Sequence, residues 1–435
     1  MDILQKSNIW KNLLLGFFFL FFLIPSHAQD TIKVMHYNLL NYGNTTGYCN
    51  TSNNNIDDKD PWLREILNYV KPDILTVNEI GANTNIHQRL LDSTLNDKGI
   101  GHYAKSVFTN IAGSYILNML YYDSTKFVLH SQDVIQPVTV RDINLYKLYY
   151  RSADLAISHD TIFIICLAAH LKAGNNSGDA ATRAVMTLNM MNYLSTNYSE
   201  GNFLFCGDYN TYTSSETAYQ NLVNYSNLNY RFYDPINRSG GWNNNSSFAD
   251  IHTQSTHSSS NGCASGGGMD DRFDQILLSE KIINGSEKVE YIYGSYTAVG
   301  QDGLHFNQSI NGTPTNTSVP ADVLNALYNM SDHLPVTLNL KISSGTSSIN
   351  DHSGDIKIDF ENPVNEIMDI RIALSTNASV ILEIYSRLGT QLTKRSLGSG
   401  NINYSLNMTG YPDGLYFLIV RDSEGNIKSQ KFIKI

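Results

Sequence analysis

Charge is scarce in this chain: Asp, Glu, Lys and Arg make up only 16% of its 435 residues. The charge present leans acidic, with 40 Asp and Glu against 30 Lys and Arg, a formal net charge of −10. That balance excludes a broadly basic surface. A phosphate-bearing substrate would have to be met by a few local cations or by a bound metal. Cysteine is also scarce, at four residues. Cys166 and Cys206 lie in apolar strands and read as packing residues. Cys49 and Cys263 lie in polar loops; in an oxidising compartment they could pair, and spacing alone leaves that open.

Long apolar runs are missing too, with one exception near the N-terminus. Lys6 and Lys11 precede an apolar run at 13–24, and Ser26-His27-Ala28 supplies a small-x-small cleavage site. The run is shorter than the about 20 residues of a typical membrane span. It reads as a signal peptide over 1–28, leaving no stable membrane span in the mature chain. The plentiful Asn, Ser, Tyr and Gly fit an exported, β-rich protein, and the length leaves room for two or three domains.

Strands recur along 29–342, joined by helices. TIKVMHYNLLNY places Ile32, Val34, His36 and Asn38 on one face. A helix is predicted from an Asp60 N-cap with Pro61 first, recurring at Trp62, Ile66 and Tyr69 and stopping at Lys71-Pro72. DILTVNEIG then aligns Leu75, Val77 and Glu79. Strand pairs are expected at 115–122 with 126–140, and at 145–157 with 161–171, the latter turning at Ser158-His159-Asp160. IFIICLAAHLK places Ile162, Ile164, Cys166, Ala168 and His170 in a row. A helix over 179–196, with Val185, Leu188 and Leu194 inward, leads to FLFCGDYN. There Leu204, Cys206, Asp208 and Asn210 share one face. The Gly-, Ser- and Asn-rich stretch 238–268 reads as a long surface loop and candidate lid. DDRFDQILLS aligns Arg272, Asp274, Ile276 and Leu278. A short helix at 320–328 leads to SDHLPVTLNLKI, where Asp332 starts the closing strand. Residues 343–353 have the composition of a linker. The short alternating strands of 354–435, with turns at Leu388-Gly389 and Pro412-Asp413-Gly414, predict a small all-β sandwich.

One pattern repeats: rows of core residues end in a polar group. Asn38, Glu79, His170, Asp208 with Asn210, Asp274, and Asp332-His333 all stand at strand ends. A carboxylate buried in such a row costs several kcal/mol, roughly, unless a metal or donor neutralises it. Each group alone is ordinary, as a turn former or a satisfied core histidine; together they describe a site at the mouth of a sheet. The set is rich in hard oxygen donors, has two imidazoles and no thiolate in ligand spacing. It suits Mg²⁺, with Mn²⁺ or Ca²⁺ as substitutes, better than Zn²⁺. Metal and imidazole could together hold a phosphate and stabilise the charge that develops on its oxygens.

YNLLNY, LTVNEIG, AAHLKAG, GDYNTY, RFDQILLS and SDHLPV resemble, in that order, the motifs of the endonuclease/exonuclease/phosphatase superfamily. The resemblance covers 31–342. It implies an α/β four-layer sandwich of two mixed β-sheets flanked by helices, here followed by a small all-β sandwich domain. It further implies Asn38, Glu79 and Asp332 at the metal, with Asp208 positioning or deprotonating the attacking water. Asn210 would orient the water or phosphate, and His333 would bind the scissile phosphate in a tautomer fixed by Asp274. His170 would contact the phosphate or assist the leaving oxygen. Arg141, Tyr149, Lys172 and Arg183 are the candidate substrate contacts, beside Arg151. Two departures stand out: Asn78 where the family usually has Gln, and Ala169 where it commonly has Asn.

The tail segments NPVNEIMDIRI, VILEIYSRLGTQL and YPDGLYFLIVRDSEGNIKSQKFIKI resemble the C-terminal sorting domain of the type IX secretion system. That implies export, with the secretion machinery as partner, to the cell surface or outside. The expected function is a secreted, Mg²⁺-dependent, monomeric endonuclease that cleaves extracellular nucleic acid by in-line water attack. One alternative is a phosphodiesterase or phosphatase on lipid headgroups or small phosphoesters. Membrane-acting relatives need an exposed apolar hairpin, and outside the leader only Trp62 and Trp242 are at hand. A further alternative is an inactive surface binding protein on the same fold.

Overall fold

The computed structural model describes residues 29–152, 155, 161–343, 356–374, 376, 378–386, 390–423 and 426–435. The leader, the linker beyond residue 343 and the turns expected at 158–160 and 388–389 lie outside the described residues. Up to residue 343 the chain forms two mixed sheets packed face to face. The first takes β1 (Gln29–Tyr42), β2 (Ile74–Gly81), β3 (Tyr103–Lys105) and β4 (Ile116–Asp123). The second takes β5 (Phe127–Val134), β6 (Ile143–Tyr150), β7 (Phe163–His170), β8 (Phe203–Asp208), β9 (Phe232–Tyr233) and β10 (Asp274–Ser279). Then β11 (Val289–Tyr291), β12 (Thr297–Ala298) and β13 (Val336–Ser343) return to the first sheet. Strand orders are β11-β13-β1-β2-β4-β3, with β12 beside β13, and β5-β6-β7-β8-β10-β9.

At the centre of each sheet lies a parallel pair, β1 with β2 and β7 with β8. Each pair is joined by a helix, α1 (Ile56–Val70) in the first. After α2 (Thr84–Leu90), α3 (Ser177–Asn197) joins the second pair. All four strands point their C-terminal ends to the same mouth, which is where ligands bind in sheets of this kind.

Three apolar clusters define the layers. Val34, Leu338, Leu148, Ile164, Leu204 and Ile276 fill the space between the sheets. Leu63, Ile66, Leu67 and Val70 pack α1 on the outside of the first sheet. Met186, Met190, Met191 and Leu194 pack α3 on the outside of the second. Helix, sheet, sheet, helix is the four-layer sandwich expected from the sequence.

Several local expectations change. Helix α1 starts five residues earlier than Pro61, because the Asn55 side chain accepts from Asp57 N–H and caps it; Pro61 sits inside. Its core stripe is Leu63, Ile66, Leu67 and Val70, while Tyr69 is exposed. On α3 Val185 and Leu188 face solvent, and only Leu194 of the expected trio is buried. The true inner face carries three methionines and Arg183. The 238–268 stretch is no surface loop: Trp242, His252, Thr253, Ser255 and Thr256 are all buried.

Beyond residue 355 a three-stranded and a four-stranded antiparallel sheet form the small all-β unit. Its strands 379–386 and 414–422 carry the alternation seen in the sequence, with Val380, Leu382, Ile384, Leu418 and Val420 in its core.

Candidate active site

The strand ends converge. Glu79, His170 and Asp208 each offer one ligand atom, and these atoms lie within 4.8 Å of one another. His170 Nε2 is 3.8 Å from Glu79 Oε1 and 3.5 Å from Asp208 Oδ2. The parallel register of β7 and β8 pairs His170 with Asp208, which explains their closeness. Gly207 permits the approach: a Cβ there would lie 2.1 Å from the Ala169 carbonyl oxygen.

Asn38 ties the two sheets together. Its Nδ2 donates to Glu79 Oε1 at 3.2 Å and to Asp208 Oδ2 at 3.0 Å, while its Oδ1 accepts from Leu40 N–H. Beyond it the register of β1 against β2 slips, and Leu40, Asn41 and Glu79 take left-handed φ angles of 46°, 50° and 58°. Such angles are costly for side chains other than Gly and Asn, and they recur at functional sites. Here the slip aims Asn41 back at Glu79: its backbone N–H donates to Oε2 at 3.0 Å and its Nδ2 at 3.3 Å.

The second half of the site is a carboxylate–imidazole pair. His333 Nδ1 lies 2.7 Å from Asp274 Oδ2, which fixes Nδ1–H and turns Nε2 toward the site. Thr253 Oγ1 accepts from Asp274 N–H. Burial opposes protonation of His333, but Asp274, Asp208 and Asp332 together hold its pKa well above the usual value. His170 goes the other way: burial, then Arg141, push it well below. Burial raises Asp208, even with His333 Nε2 3.8 Å from it, because Asp274 and Glu79 add like charge. Asn210 Nδ2 donates to Asp208 Oδ1 at 2.8 Å.

A divalent cation fits this arrangement. Buried carboxylates around one point need positive charge, and Asp332 Oδ1 is buried with no hydrogen-bond partner. Its Oδ2 accepts from Ser265 N–H at 2.8 Å. Glu79 and Asp208 offer hard oxygens and His170 one nitrogen to such an ion, with the unpartnered Asp332 oxygen 3.9 Å from His333 Nε2. Asn38 departs from expectation, for its amide nitrogen, not its oxygen, faces the carboxylates.

The proposed substrate cations fare differently. Arg141 lies just ahead of β6, near the mouth, and donates to the carbonyl of Leu171 at 3.0 Å. Tyr149 pairs with Phe163 at the far end of β7, since β6 runs antiparallel to it, and cannot reach the site. Arg183 is buried on Glu216 (2.7 Å) and on the carbonyls of Lys172 and Gly174. Lys172 Nζ pairs with Asp179 at 2.8 Å. Both are thus already paired with carboxylates.

Several residues hold positions that the sequence reading did not assign them or left open. Asn78 Oδ1 accepts from Asp208 N–H at 2.9 Å and its Nδ2 donates to Asn118 at 2.7 Å. It thus orients the strand end from which Asp208 projects. Lys59 is buried and donates to Leu39 O, Leu40 O and Asn54 Oδ1 (2.7–2.8 Å). His36, already on the Asn38 face, lies behind Asp274 at 3.8 Å and stays neutral, its pKa lowered by burial to about 4. Gln254 touches His333 from a loop with no signal of its own. Cys49 and Cys263 are joined by a disulfide.

The fold and site define a class: an α/β sandwich whose paired parallel strands present an acid–histidine centre at one mouth. Solved structures similar to this chain include an endonuclease/exonuclease/phosphatase family protein from Bacteroides thetaiotaomicron (13% identity, 74% of this chain, 100% of that chain, TM-score 0.44). Another is D. rerio TDP2 complexed with single strand DNA product (11% identity, 72% and 99% covered, TM-score 0.43). A third is the mannosyl-6-phosphatase of Bacteroides thetaiotaomicron (13% identity, 71% and 99% covered, TM-score 0.43). Among curated proteins none matches. Residues 360–435 match the family model of the secretion system C-terminal sorting domain. That tail indicates export to the cell surface or outside. Among the described residues no helix is long and apolar enough to cross a membrane.

Proposed function

We propose that residues 29–342 form a divalent-metal-dependent phosphoester hydrolase of the endonuclease/exonuclease/phosphatase type, exported through type IX secretion by its tail. One observation carries the proposal: Glu79, His170 and Asp208, from both sheets, bring ligand atoms within 4.8 Å of one another, and the Asp274–His333 pair turns His333 Nε2 to within 3.8 Å of Asp208. Mg²⁺ (or Mn²⁺) held by Glu79, Asp208 and Asp332 would neutralise a nonbridging phosphate oxygen. Asp208 takes the proton of the attacking water, with Asn210 fixing its carboxylate. His333 donates from Nε2 to a phosphoryl oxygen, and Asp274 keeps it charged and oriented.

An endonuclease acting on extracellular nucleic acid is the first reading within this class. A polyanionic strand is held mainly through its phosphates. Of the cations assigned that task, Arg183 and Lys172 are paired with Glu216 and Asp179. This commitment favours the second reading, a phosphatase or phosphodiesterase on small or lipid-headgroup phosphoesters. The test is hydrolysis of duplex DNA, single-stranded DNA, RNA, sphingomyelin, a sugar phosphate and a generic phosphodiester, each with Mg²⁺ and with EDTA. EDTA-sensitive cleavage of polymer selects the nuclease, and cleavage of small esters alone selects the alternative. No hydrolysis of any of them, with metal present, overturns the class.

A further inference from the structure

Gln254 holds the one atom that the hydrolytic scheme needs to be open. Its backbone is anchored: the N–H donates to Asp271 O at 3.1 Å, and the carbonyl accepts from the N–H groups of Asp270 and Asp271, 2.9 Å each. A bridge of β type sets it against His333. Its side chain is half-buried at the site, with Nε2 2.7 Å from His333 Nε2 and 3.4 Å from Asp332 Oδ2. Asp208 and Asp332 stand 3.8 and 3.9 Å from His333 Nε2, beyond hydrogen-bond range. Among the described residues, the Gln254 amide is therefore the side-chain hydrogen-bond partner of that nitrogen.

An amide suits this post because it works both ways. A neutral His333, with Nδ1–H given to Asp274, accepts at Nε2 from the Gln254 amide N–H. An imidazolium donates at Nε2, and a half turn of the amide presents its oxygen instead. A hydrophobic or charged side chain could not serve both states. When a phosphoryl oxygen takes the Nε2 proton, the amide loses its partner at a spot where the incoming oxygen is the nearest strong acceptor.

We propose that Gln254 is a substrate-contacting residue: on binding of a phosphoester it leaves His333 Nε2 and donates an amide N–H to the phosphoryl oxygen that His333 also holds. The pair would bind a tetrahedral oxyanion beside Asp208, whose Oδ2 lies 3.8 Å from His333 Nε2. This assignment rests on the phosphoester reading and adds to it the means by which the phosphate is gripped.

The test uses the full chain with Mg²⁺, comparing wild type with Gln254→Met, which keeps length without polarity, and Gln254→Glu, which replaces the donor by an anion. Gln254→Asn, too short to reach, serves should the methionine variant melt early. Inorganic phosphate binding is read by calorimetry, KM and kcat with a generic phosphodiester, and folding by thermal melting. A hydrogen bond to a charged group corresponds to a loss of about ten- to a hundredfold. Gln254→Met is expected to weaken phosphate binding and raise KM by about that factor, with kcat less affected and melting unchanged. Gln254→Glu should bind phosphate more weakly still. Wild-type phosphate affinity and KM in Gln254→Met, while the wild type hydrolyses, would reduce Gln254 to loop packing and leave the enzyme class standing. A wild type that neither binds phosphate nor hydrolyses a phosphoester would overturn both.

Discussion

The two parallel strand pairs reach the same mouth by different means. In the pair β7 and β8 the register runs unbroken to its last rung, where His170 faces Asp208. In the pair β1 and β2 the register slips after Asn38, and left-handed residues turn Asn41 and Glu79 into place. Yet each pair uses the same device behind its first strand. From α1, buried Lys59 reaches back to the carbonyls of Leu39 and Leu40, just past Asn38. From α3, buried Arg183 reaches back to the carbonyls of Lys172 and Gly174, just past His170. The chain leaves a strand with its carbonyls unpaired, and the crossing helix returns one cation to satisfy them. In the proposed scheme the ordered half carries the base, Asp208, together with His170, and the bent half carries the metal ligand Glu79.

Substitutions can break this contrast, the largest effect first. Asp208→Asn should lower kcat by about a thousandfold or more, and saturating Mg²⁺ should not restore it, since the base is lost along with one metal ligand. Glu79→Gln should instead raise the Mg²⁺ needed for half-maximal rate, and excess metal should restore part of it. Equal, metal-insensitive losses in both variants would erase the division of labour. Opening the Cys49–Cys263 bridge by paired serine substitution removes a loop constraint of 214 residues. It should lower stability by about 3–5 kcal/mol, read as denaturant midpoint, and the loss should fall on the bent half. Arg183→Met strands Glu216 in the interior and should cost about 3–5 kcal/mol. Lys59→Met loses hydrogen bonds from a charged group without leaving an ion behind, and should cost less, about 2–3 kcal/mol.

A further effect is one of pH. Burial, against the pull of Asp332 and Glu79, lowers the Lys59 pKa to about 7. Between pH 7 and 10 the unfolded chain therefore binds a proton there that the folded chain does not, so stability rises with pH. Wild type should gain on Lys59→Met across that window in parallel denaturant titrations. A constant difference between the two would mean that Lys59 keeps its ordinary affinity for protons.

The sequence exposed the site wherever alternation ran to the end of a strand. His170, Asp208, Asp274 and Glu79 each close a row of core residues, so a period of two was enough to align them. It failed where geometry came from elsewhere. Asn41 enters only because β1 slips, and Gln254 and Ser265 come from a loop without periodicity. Tyr149 looked eligible because it sits in a middle strand, but an antiparallel neighbour carries it to the opposite rim. Arg183 looked like a cation offered to substrate, yet it lies on the inner, methionine-rich face of α3; burial of a guanidinium beside Glu216 leaves no mark in composition.

The sulfur bridge also couples distant parts of the chain at the pocket. Cys49 follows the segment that steers Asn41 onto Glu79, and Cys263 stands two residues before Ser265, which grips Asp332. Such a bond closes in an oxidising milieu and stays open in the cytoplasm. In an exported chain the bridge thus joins the segment behind Asn41 and Glu79 to the segment behind Ser265 and Asp332, two walls of one pocket held by a single covalent tie.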